Sequence, residues 1–217
     1  MSRQSVFILG SGCFGRHAFS LLQQRFQLSG ITVVDIQYHK LKKIAAQGGR
    51  TIVMDAVSFL ASSKEKIGSD DWIVPAIPIH VAFEWIRQAL KSEKELKTIP
   101  VPYRLEAMLP NPIRGTEGQL YVSNADFICP DDCPEPETYC TVTGKPRPQV
   151  LCELLYGPNL PDFHSICVVS SQLAPGVGGF QLRTLQQALK GIRSHPGNIL
   201  ISTACKCHGV VHAFHID

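Results

Sequence analysis

Charged residues are scarce in this chain of 217 residues. Asp, Glu, Lys and Arg make up 18% of it, and the formal net charge is only +3. The basic residues are scattered along the chain, whereas a protein that coats nucleic acid needs a concentrated positive surface. The composition therefore argues against a nucleic-acid partner. The 44% share of hydrophobic residues excludes a disordered chain, because disorder requires low hydrophobicity and high net charge.

Long hydrophobic runs are also lacking. The nearest candidate, residues 72–86, is too short to cross a bilayer and contains Pro75, Pro78 and His80. The apolar stretch near the N-terminus runs directly into glycines rather than into a signal-peptide cleavage site. We therefore expect no direct membrane insertion and a cytoplasmic protein. In that compartment the eight cysteines are not expected to form a disulfide framework, which leaves metal binding, redox chemistry or burial.

Several catalytic signatures are missing. The chain contains no Gly-x-Ser-x-Gly elbow and no His-Glu-x-x-His pair, and it has no clear pair of acidic residues suited to glycoside hydrolysis. These absences lower the expectation of a hydrolytic enzyme.

The chain divides into three predicted parts. Residues 1–95 alternate four times between a short apolar run and a helical pattern, which predicts a parallel sheet with helices on both faces. Residues 96–162 hold 11 of the 15 prolines and four of the eight cysteines, which predicts a structured, cysteine-held insertion. Residues 163–217 return to strand, helix and strand, and the simplest arrangement makes them the second half of the same sheet. The predicted fold class is α/β, a doubly wound, Rossmann-like parallel sheet with a Pro/Cys-rich insertion. A separate small C-terminal domain is the alternative.

A glycine-rich turn gives the strongest functional signal. Residues 10–15 read Gly-Ser-Gly-Cys-Phe-Gly, follow a predicted strand and open a predicted helix. Gly10 permits the tight turn, Gly12 leaves the backbone open to a pyrophosphate, and Gly15 lets helix and strand pack closely. The helix N-terminus then offers free N–H groups to phosphate. Asp35, at the end of the second predicted strand, is placed to bind the adenosine ribose, which favours NAD over NADP. Cys13 and Phe14 complete the predicted cofactor-binding turn.

Residues 6–60 resemble the TrkA/RCK nucleotide-binding domains that regulate potassium channels and transporters. The resemblance rests on residues 6–15, on Val-Val-Asp at 33–35 and on Ile-Val-Met-Asp-Ala at 52–56. It implies NAD(H) or another adenine nucleotide as ligand, with Asp55 and Ala56 near the adenine. The family usually has glycine where this chain has Met54.

Two further stretches are candidates for the ligand side of the sheet. His80 follows the fourth predicted strand, at the edge where such folds bind ligands, and is a candidate proton-transfer residue in catalysis. Residues 174–180 form a second glycine-rich stretch between a predicted strand and a helix. Gly176 and Gly178 there are candidates for binding a cofactor phosphate through backbone N–H groups, although an ordinary loop that needs positive φ is the alternative.

The remaining cysteines form two groups. The first contains Cys129, Cys133 and Cys140, and the second is Cys205-Lys206-Cys207-His208. If the groups meet, they supply soft ligands for a structural zinc or an iron–sulfur centre. The spacing fits neither a zinc ribbon nor a ferredoxin run, and a redox-active thiol pair or simple burial are the alternatives. We expect Cys13, Cys152 and Cys167 to be packing residues rather than metal ligands.

Two functions follow from these predictions. In the first, the protein is an NAD(H)-binding oxidoreductase with a cysteine-ligated metal or iron–sulfur centre, and a small-molecule nucleotide and a redox partner protein are its partners. In the second, it is a nucleotide-sensing regulatory subunit of a potassium transport system, with a transporter partner and a structural metal site. Either function is compatible with a homo-oligomer.

Overall fold

The structure is a computed structural model, and it describes residues 4–63, 66–157 and 160–217. The first part alternates strand and helix as the pattern predicts. Its elements are β1 (Val6–Leu9), α1 (Cys13–Leu22), β2 (Ile31–Asp35), α2 (Tyr38–Ala46), β3 (Arg50–Val53), α3 (Ala56–Ser62), β4 (Trp72–Pro75) and α4 (Val81–Leu90). A 3₁₀ turn at Leu28–Gly30 precedes β2.

Two strands from later in the chain, β9 (Ser171–Ala174) and β10 (Val177–Gln181), join the first sheet. Its strand order is β3-β2-β1-β4-β10-β9. Strands β3, β2, β1 and β4 are parallel, because a helix follows each strand and returns the chain to the same end of the sheet. Side chains of β1 alternate between the two faces. Val6 and Ile8 pack with Phe19 of α1, whereas Leu9 packs with the helices on the opposite face. The α/β class is thus confirmed, with a sheet that mixes parallel and antiparallel strands.

The rest of the chain builds a second sheet and adds two strands to the first. Its elements are β5 (Leu96–Ile99), α5 (Tyr103–Glu106), β6 (Ile113–Arg114), β7 (Leu120–Ser123), α6 (Leu151–Tyr156), β8 (His164–Val169), β9 (Ser171–Ala174), β10 (Val177–Gln181), α7 (Leu182–Arg193), β11 (Gly197–Ala204) and β12 (His208–Ile216). The second sheet has the order β6-β7-β12-β11-β8, and β5 also pairs with β12.

We expected residues 163–217 to complete the first sheet, but the segment divides between both sheets. Strands β9 and β10 extend the first sheet through antiparallel pairing of β10 with β4. Strands β8, β11 and β12 form the second sheet together with β5 to β7, which come from the expected insertion. The long strand β12 explains this arrangement, since one edge pairs with β11 and the other pairs with β5 and β7 in succession.

One continuous apolar core joins the two sheets. It contains Ile73 of the first sheet, Phe83 and Trp85 of α4, Leu185 of α7 and Phe214 of the second sheet. Helices α4 and α7 therefore hold the sheets together. Burial of side chains this large contributes on the order of 2–3 kcal/mol each, so the two sheets are expected to unfold together.

Residues 124–150 contain no helix or strand, and their only pairing in the described chain is an isolated bridge between Tyr139 and Pro146. Side-chain and single backbone hydrogen bonds hold this segment to the rest of the protein instead. The amide Nδ2 of Asn124 donates to the carbonyl oxygens of Gln149 and Lys206 at 2.8 and 3.1 Å. This segment, called the cysteine segment below, is thereby fixed against the β11–β12 hairpin. Among the described residues, no helix has the length and apolar character needed to cross a membrane.

Candidate functional site

The glycine turn lies between β1 and α1, and two of its glycines are required by the protein's own packing. Gly10 has φ +106°, and a Cβ there would stand 2.6 Å from the carbonyl oxygen of Ala76. A Cβ on Gly15 would stand 2.0 Å from the carbonyl oxygen of Gly10. Both contacts are too short for any side chain. These two glycines let the start of α1 sit tightly against the carboxyl ends of β1 and β4.

Gly12 differs from both, because a Cβ there would meet no atom within 4 Å. It is the N-cap of α1 and provides no side-chain cap, so the first-turn N–H groups have no side-chain acceptor at that position. The exposed Arg16 lies one turn along the helix and donates from Nη1 to the carbonyl oxygen of Ser11 at 2.9 Å. Open space, helix N–H groups and a nearby cation make this point suited to an anion.

Asp35 ends β2 and is directed at the glycine turn. Its Oδ2 accepts hydrogen bonds from the Ser11 backbone N–H at 2.8 Å and the Ser11 hydroxyl at 2.7 Å, and its Oδ1 accepts from the Gln37 N–H at 2.8 Å. Burial opposes ionisation of Asp35, but these hydrogen bonds and the charge of Lys40 outweigh it, so its pKa lies below the ordinary value. The ionised carboxylate fixes the turn, a role that the sequence did not reveal. The expected ribose contact stays a prediction.

The other residues that were predicted to bind the cofactor near the glycine turn are either exposed to solvent or have a role in the protein's own structure. Phe14 is 64% exposed and Cys13 is also exposed, both in the first turn of α1. The prediction that Cys13 is a packing residue is therefore wrong, because its side chain points to solvent from the first turn of the helix. Asp55 caps α3, since its Oδ1 accepts from the Ser58 N–H at 2.8 Å, and Ala56 is buried behind it. The expected adenine contact of Asp55 and Ala56 stays a prediction.

A cavity of about 320 Å³ opens beside the glycine turn. It lies at the carboxyl end of β4 and is closed on its other side by the turn of the β9–β10 hairpin. Its wall consists of Phe14, Ala18, residues 74–78 and residues 176–178. We call it the crevice below.

A second cavity, of about 920 Å³, adjoins the crevice and shares Phe14 and residues 176–178 with it. The cysteine segment and the β11–β12 turn form most of its wall. Five cysteines and one histidine, which include every predicted metal ligand, line it: Cys129, Cys133, Cys140, Cys205, Cys207 and His208. The two cysteine groups of the sequence thus meet at one cavity, which we call the thiol cavity.

The thiols of the cavity fall into two sets. Cys133, Cys140 and Cys207 lie near enough to Cys129 for their charges, together with burial as the larger cause, to raise its pKa. Cys205 instead lies with His208 and Glu135. Its Sγ is 3.9 Å from the His208 Nδ1, and burial, with the charge of Glu135, raises its pKa to about 12.

Arg147 is a cation in the wall of the thiol cavity that contacts a thiol, and sequence reasoning missed it. Its Nε donates to the Cys207 Sγ at 3.1 Å, while Nη1 and Nη2 donate to the carbonyl oxygens of Glu137 and Pro136 at 2.6 and 2.7 Å. Burial raises the pKa of Cys207, and Arg147 acts in the opposite direction. A guanidinium held on two carbonyls is oriented to stabilise a sulfur anion.

The side chains do not close around a single ion. Across the described ranges, no group of three or more His, Cys, Asp or Glu residues is arranged to hold a metal ion. Cys167 is buried, and Cys152 packs against the same core of the second sheet, as expected for cysteines outside the metal set.

His80 lies in the interior and lines neither cavity. It is 7% exposed, its Nδ1 is 2.9 Å from the Nδ1 of His212, and its Nε2 is 2.9 Å from the Thr203 hydroxyl. Burial, with the charge of His212, holds its pKa well below the ordinary value. Because both ring nitrogens are engaged, we correct the catalytic assignment and place His80 in the packing between the two sheets.

The second glycine-rich stretch, residues 174–180, does not form the phosphate-binding loop between a strand and a helix that the sequence predicted. It forms the hairpin between β9 and β10 rather than a loop that opens a helix. Gly176, with φ +69°, donates its N–H to the Cys133 carbonyl at 3.0 Å, and a Cβ there would stand 1.5 Å from the Asp131 carbonyl oxygen. The N–H of Gly176 is thus not free for an anion. Gly178 lies against the Ser170 hydroxyl, whereas Gly176 serves the close approach of the cysteine segment.

Comparison with known proteins assigns the larger part of the chain to a family. Residues 82–217 match the AF_1314_C family, described as an uncharacterized protein, C-terminal domain. The chain belongs to the AF_1314_C family. It is also 28% identical over 228 residues to an uncharacterized protein of Archaeoglobus fulgidus, a match that covers 95% of this chain and 97% of that protein. The AF_1314_C region begins in α4 and contains all the cysteines of the thiol cavity, whereas the glycine turn lies before it.

Proposed function

We propose that this protein binds NAD(H) or a related adenine dinucleotide at the glycine turn and acts as a cytoplasmic oxidoreductase. The strand order β3-β2-β1-β4 supports the Rossmann-like part of this proposal, because dinucleotides bind at the carboxyl ends of such strands, beside the glycine turn after β1. The crevice lies at that edge, next to the start of α1.

The observation that carries the proposal is the contrast among the three glycines. Packing alone explains Gly10 and Gly15, since any side chain there would collide with Ala76 or with Gly10 itself. Packing does not explain Gly12, where a side chain would enter open space at the N-terminus of α1. A bound pyrophosphate does explain it, because it needs close approach to the backbone N–H groups.

The surrounding residues fit such a ligand. Gly12 and the first-turn N–H groups would hold the pyrophosphate, with the charge of Arg16 nearby, and Asp35 would orient the turn while its Oδ1 keeps room for a second hydrogen-bond donor. When bound, the nicotinamide supplies a hydride. The shared wall of Phe14 and residues 176–178 puts any molecule in the crevice beside the thiol cavity, which favours redox chemistry over binding alone.

A nucleotide-sensing regulator, such as the potassium transport subunits that residues 6–60 resemble, is the second candidate. The hydrogen bond from Gly176 to Cys133 supports it, because it ties the wall of the crevice directly to the cysteine segment. In that function the ligand shifts the position of the cysteine segment and no hydride is transferred.

Titration calorimetry with NADH, NADPH and AMP tests the proposal. Gly12→Val should abolish NADH binding while the denaturation midpoint changes little, because the added side chain occupies only the ligand's space. Gly157→Ala is the matched control, since a Cβ at Gly157 also meets nothing within 4 Å but lies at the end of α6. An unchanged NADH affinity in Gly12→Val refutes the site, and oxidation of bound NADH by an added electron acceptor separates the enzyme from the sensor.

A further inference from the structure

The thiol cavity gathers four sulfur atoms without closing them on one point. Cys129, Cys133, Cys140 and Cys207 all line it, and three of them act electrostatically on Cys129. The Cys133 Sγ is 3.8 Å from the Thr141 hydroxyl, beside Cys140, and Arg147 joins Cys207 to residues 136–137. These contacts fix the four residues around the same space although they come from segments more than 60 residues apart.

The turn that carries Cys140 is built to hold a thiolate. The chain closes on itself through the Gly144 N–H, which donates to the Cys140 carbonyl at 2.8 Å, and the Cys140 N–H, which donates to the Lys145 carbonyl at 2.9 Å. The N–H groups of Val142 and Thr143 and the Thr143 hydroxyl lie near the Cys140 sulfur. Hydrogen bonds of this kind tune and orient metal-bound sulfur.

The spacing of the thiols favours a cluster over a single ion. A tetrahedral zinc with Zn–S bonds near 2.3 Å needs its four sulfurs about 3.8 Å apart, and in the described part of the chain no three ligands approach that arrangement. A [4Fe–4S] cluster attaches each of its four thiolates to a different iron, so its ligands stand farther apart around a larger space. The thiol cavity, at about 920 Å³, provides that space.

We propose that Cys129, Cys133, Cys140 and Cys207 ligate one iron–sulfur cluster in the thiol cavity, with Arg147 donating to the Cys207 sulfur. The four thiols release their protons to solvent as they bind iron. Arg147 and the N–H groups around Cys140 offset the negative charge of the thiolate-bound cluster. Nucleotide binding at the glycine turn is not needed for this assignment.

Cys205 is not a ligand in this assignment, although it is only two residues from Cys207. Its sulfur accepts the N–H groups of Cys207 and His208 at 3.4 and 3.3 Å within the hairpin turn, and Glu135 stands against it. It stabilises the turn that presents Cys207. The two neighbouring cysteines therefore form a matched pair for mutagenesis.

The test begins with the full-length protein purified without oxygen. Iron and acid-labile sulfide should be present in near-equal amounts, with visible absorbance that bleaches on adding dithionite. Cys207→Ser should lose most of the iron, whereas Cys205→Ser should keep it. Zinc without sulfide, or no metal after reconstitution with ferrous iron and sulfide, overturns the cluster. Loss of iron in Cys205→Ser but not in Cys207→Ser overturns the choice of the fourth ligand.

A labelling experiment decides the ligands even if a variant fails to fold. In the wild-type protein, iodoacetamide should alkylate the exposed Cys13 at once. The four ligands should become reactive only after the cluster is removed by ferricyanide and a chelator, and mass spectrometry identifies them. Equal alkylation of these four before and after removal contradicts the proposal. Calorimetry with NADH on the same samples reports the glycine turn separately.

Discussion

The buried pair of His80 and His212 predicts a loss of stability in mild acid. The two Nδ1 atoms are 2.9 Å apart, so one ring donates and the other accepts. His212 is 6% exposed and stacks on Phe83 with ring centres 4.3 Å apart. The pair joins the start of α4 to β12 and so lies between the two sheets. Protonating both rings would bring two N–H groups face to face in the interior.

The magnitude follows from the pKa of His212, which burial lowers from 6.5 to about 4. Between these values the unfolded chain binds the proton and the folded chain does not, so stability falls as the pH falls from 6.5 towards 4. At about 1.4 kcal/mol per pKa unit, His212 alone removes about 3 kcal/mol. Burial, with the charge of His212, also lowers the pKa of His80, which changes stability in the same direction.

Urea denaturation at a series of pH values between 7 and 4 measures this loss. The wild-type midpoint should fall steeply below pH 6.5. His212→Asn keeps a polar atom near the Nδ1 position but does not titrate, so its stability should be lower at pH 7 and depend less on pH. His39→Asn, at an exposed position, is the control and should follow the wild type. Equal pH slopes in wild type and His212→Asn would refute the reasoning.

Two further predictions concern the glycine turn and the wall of the crevice. Asp35→Asn keeps the shape of the side chain but removes its charge, so NADH binding should weaken by about 1.5–3 kcal/mol, as measured by calorimetry. Asp162→Asn, at an exposed residue that lines neither cavity, is the control, and equal losses in the two variants contradict a special role for Asp35. Gly176→Ala should lower the denaturation midpoint by more than Gly144→Ala does, because both positions have positive φ but only at Gly176 would a Cβ collide, with Asp131. Equal denaturation midpoints in the two variants would show that the cysteine segment moves away from the added methyl group without loss of stability.

The first four strands and helices could be predicted because each is encoded by local periodicity. Phe19 and Leu22 of α1 repeat at helical spacing, and the strands before and after are short apolar runs. The tight turn at Gly10 and the close helix–strand packing at Gly15 could be predicted for a similar reason, since the backbone atoms that exclude a side chain at these positions lie within the β1–α1–β4 region.

The second sheet could not be predicted in the same way. Strands β5, β6 and β7 have only two to four residues, and they are stabilised by pairing with β12 or with each other rather than by their own pattern. Prolines at 100, 102, 110 and 112 made the region look irregular, although they lie between the strands and not inside them. His80 was likewise misread, because its partner His212 is 132 residues away.

The convergence of the two cysteine groups was proposed from composition, but the feature that organises it was not visible. Arg147 lies between two prolines, and nothing in its neighbourhood indicates contact with Cys207. Its role depends on the β11–β12 turn reaching the cysteine segment, which Asn124 secures by hydrogen bonds to Gln149 and Lys206. Long-range contacts of this kind leave no periodic trace in a single sequence.

The contact between the Gly176 hairpin and the cysteine segment allows the two proposed functions to be distinguished by experiment. Cys133 receives hydrogen bonds on its carbonyl from the Gly176 N–H at 3.0 Å and the Gln172 amide at 2.6 Å, so a thiol ligand and the wall of the crevice form one rigid contact. If an oxidoreductase uses it, the contact keeps donor and acceptor close, and NADH should bleach the cluster absorbance in a single turnover. If a sensor uses it, NADH should alter protease sensitivity of the cysteine segment and leave the absorbance unchanged. Gly176→Ala, which disrupts the contact, should slow the first response or weaken the second.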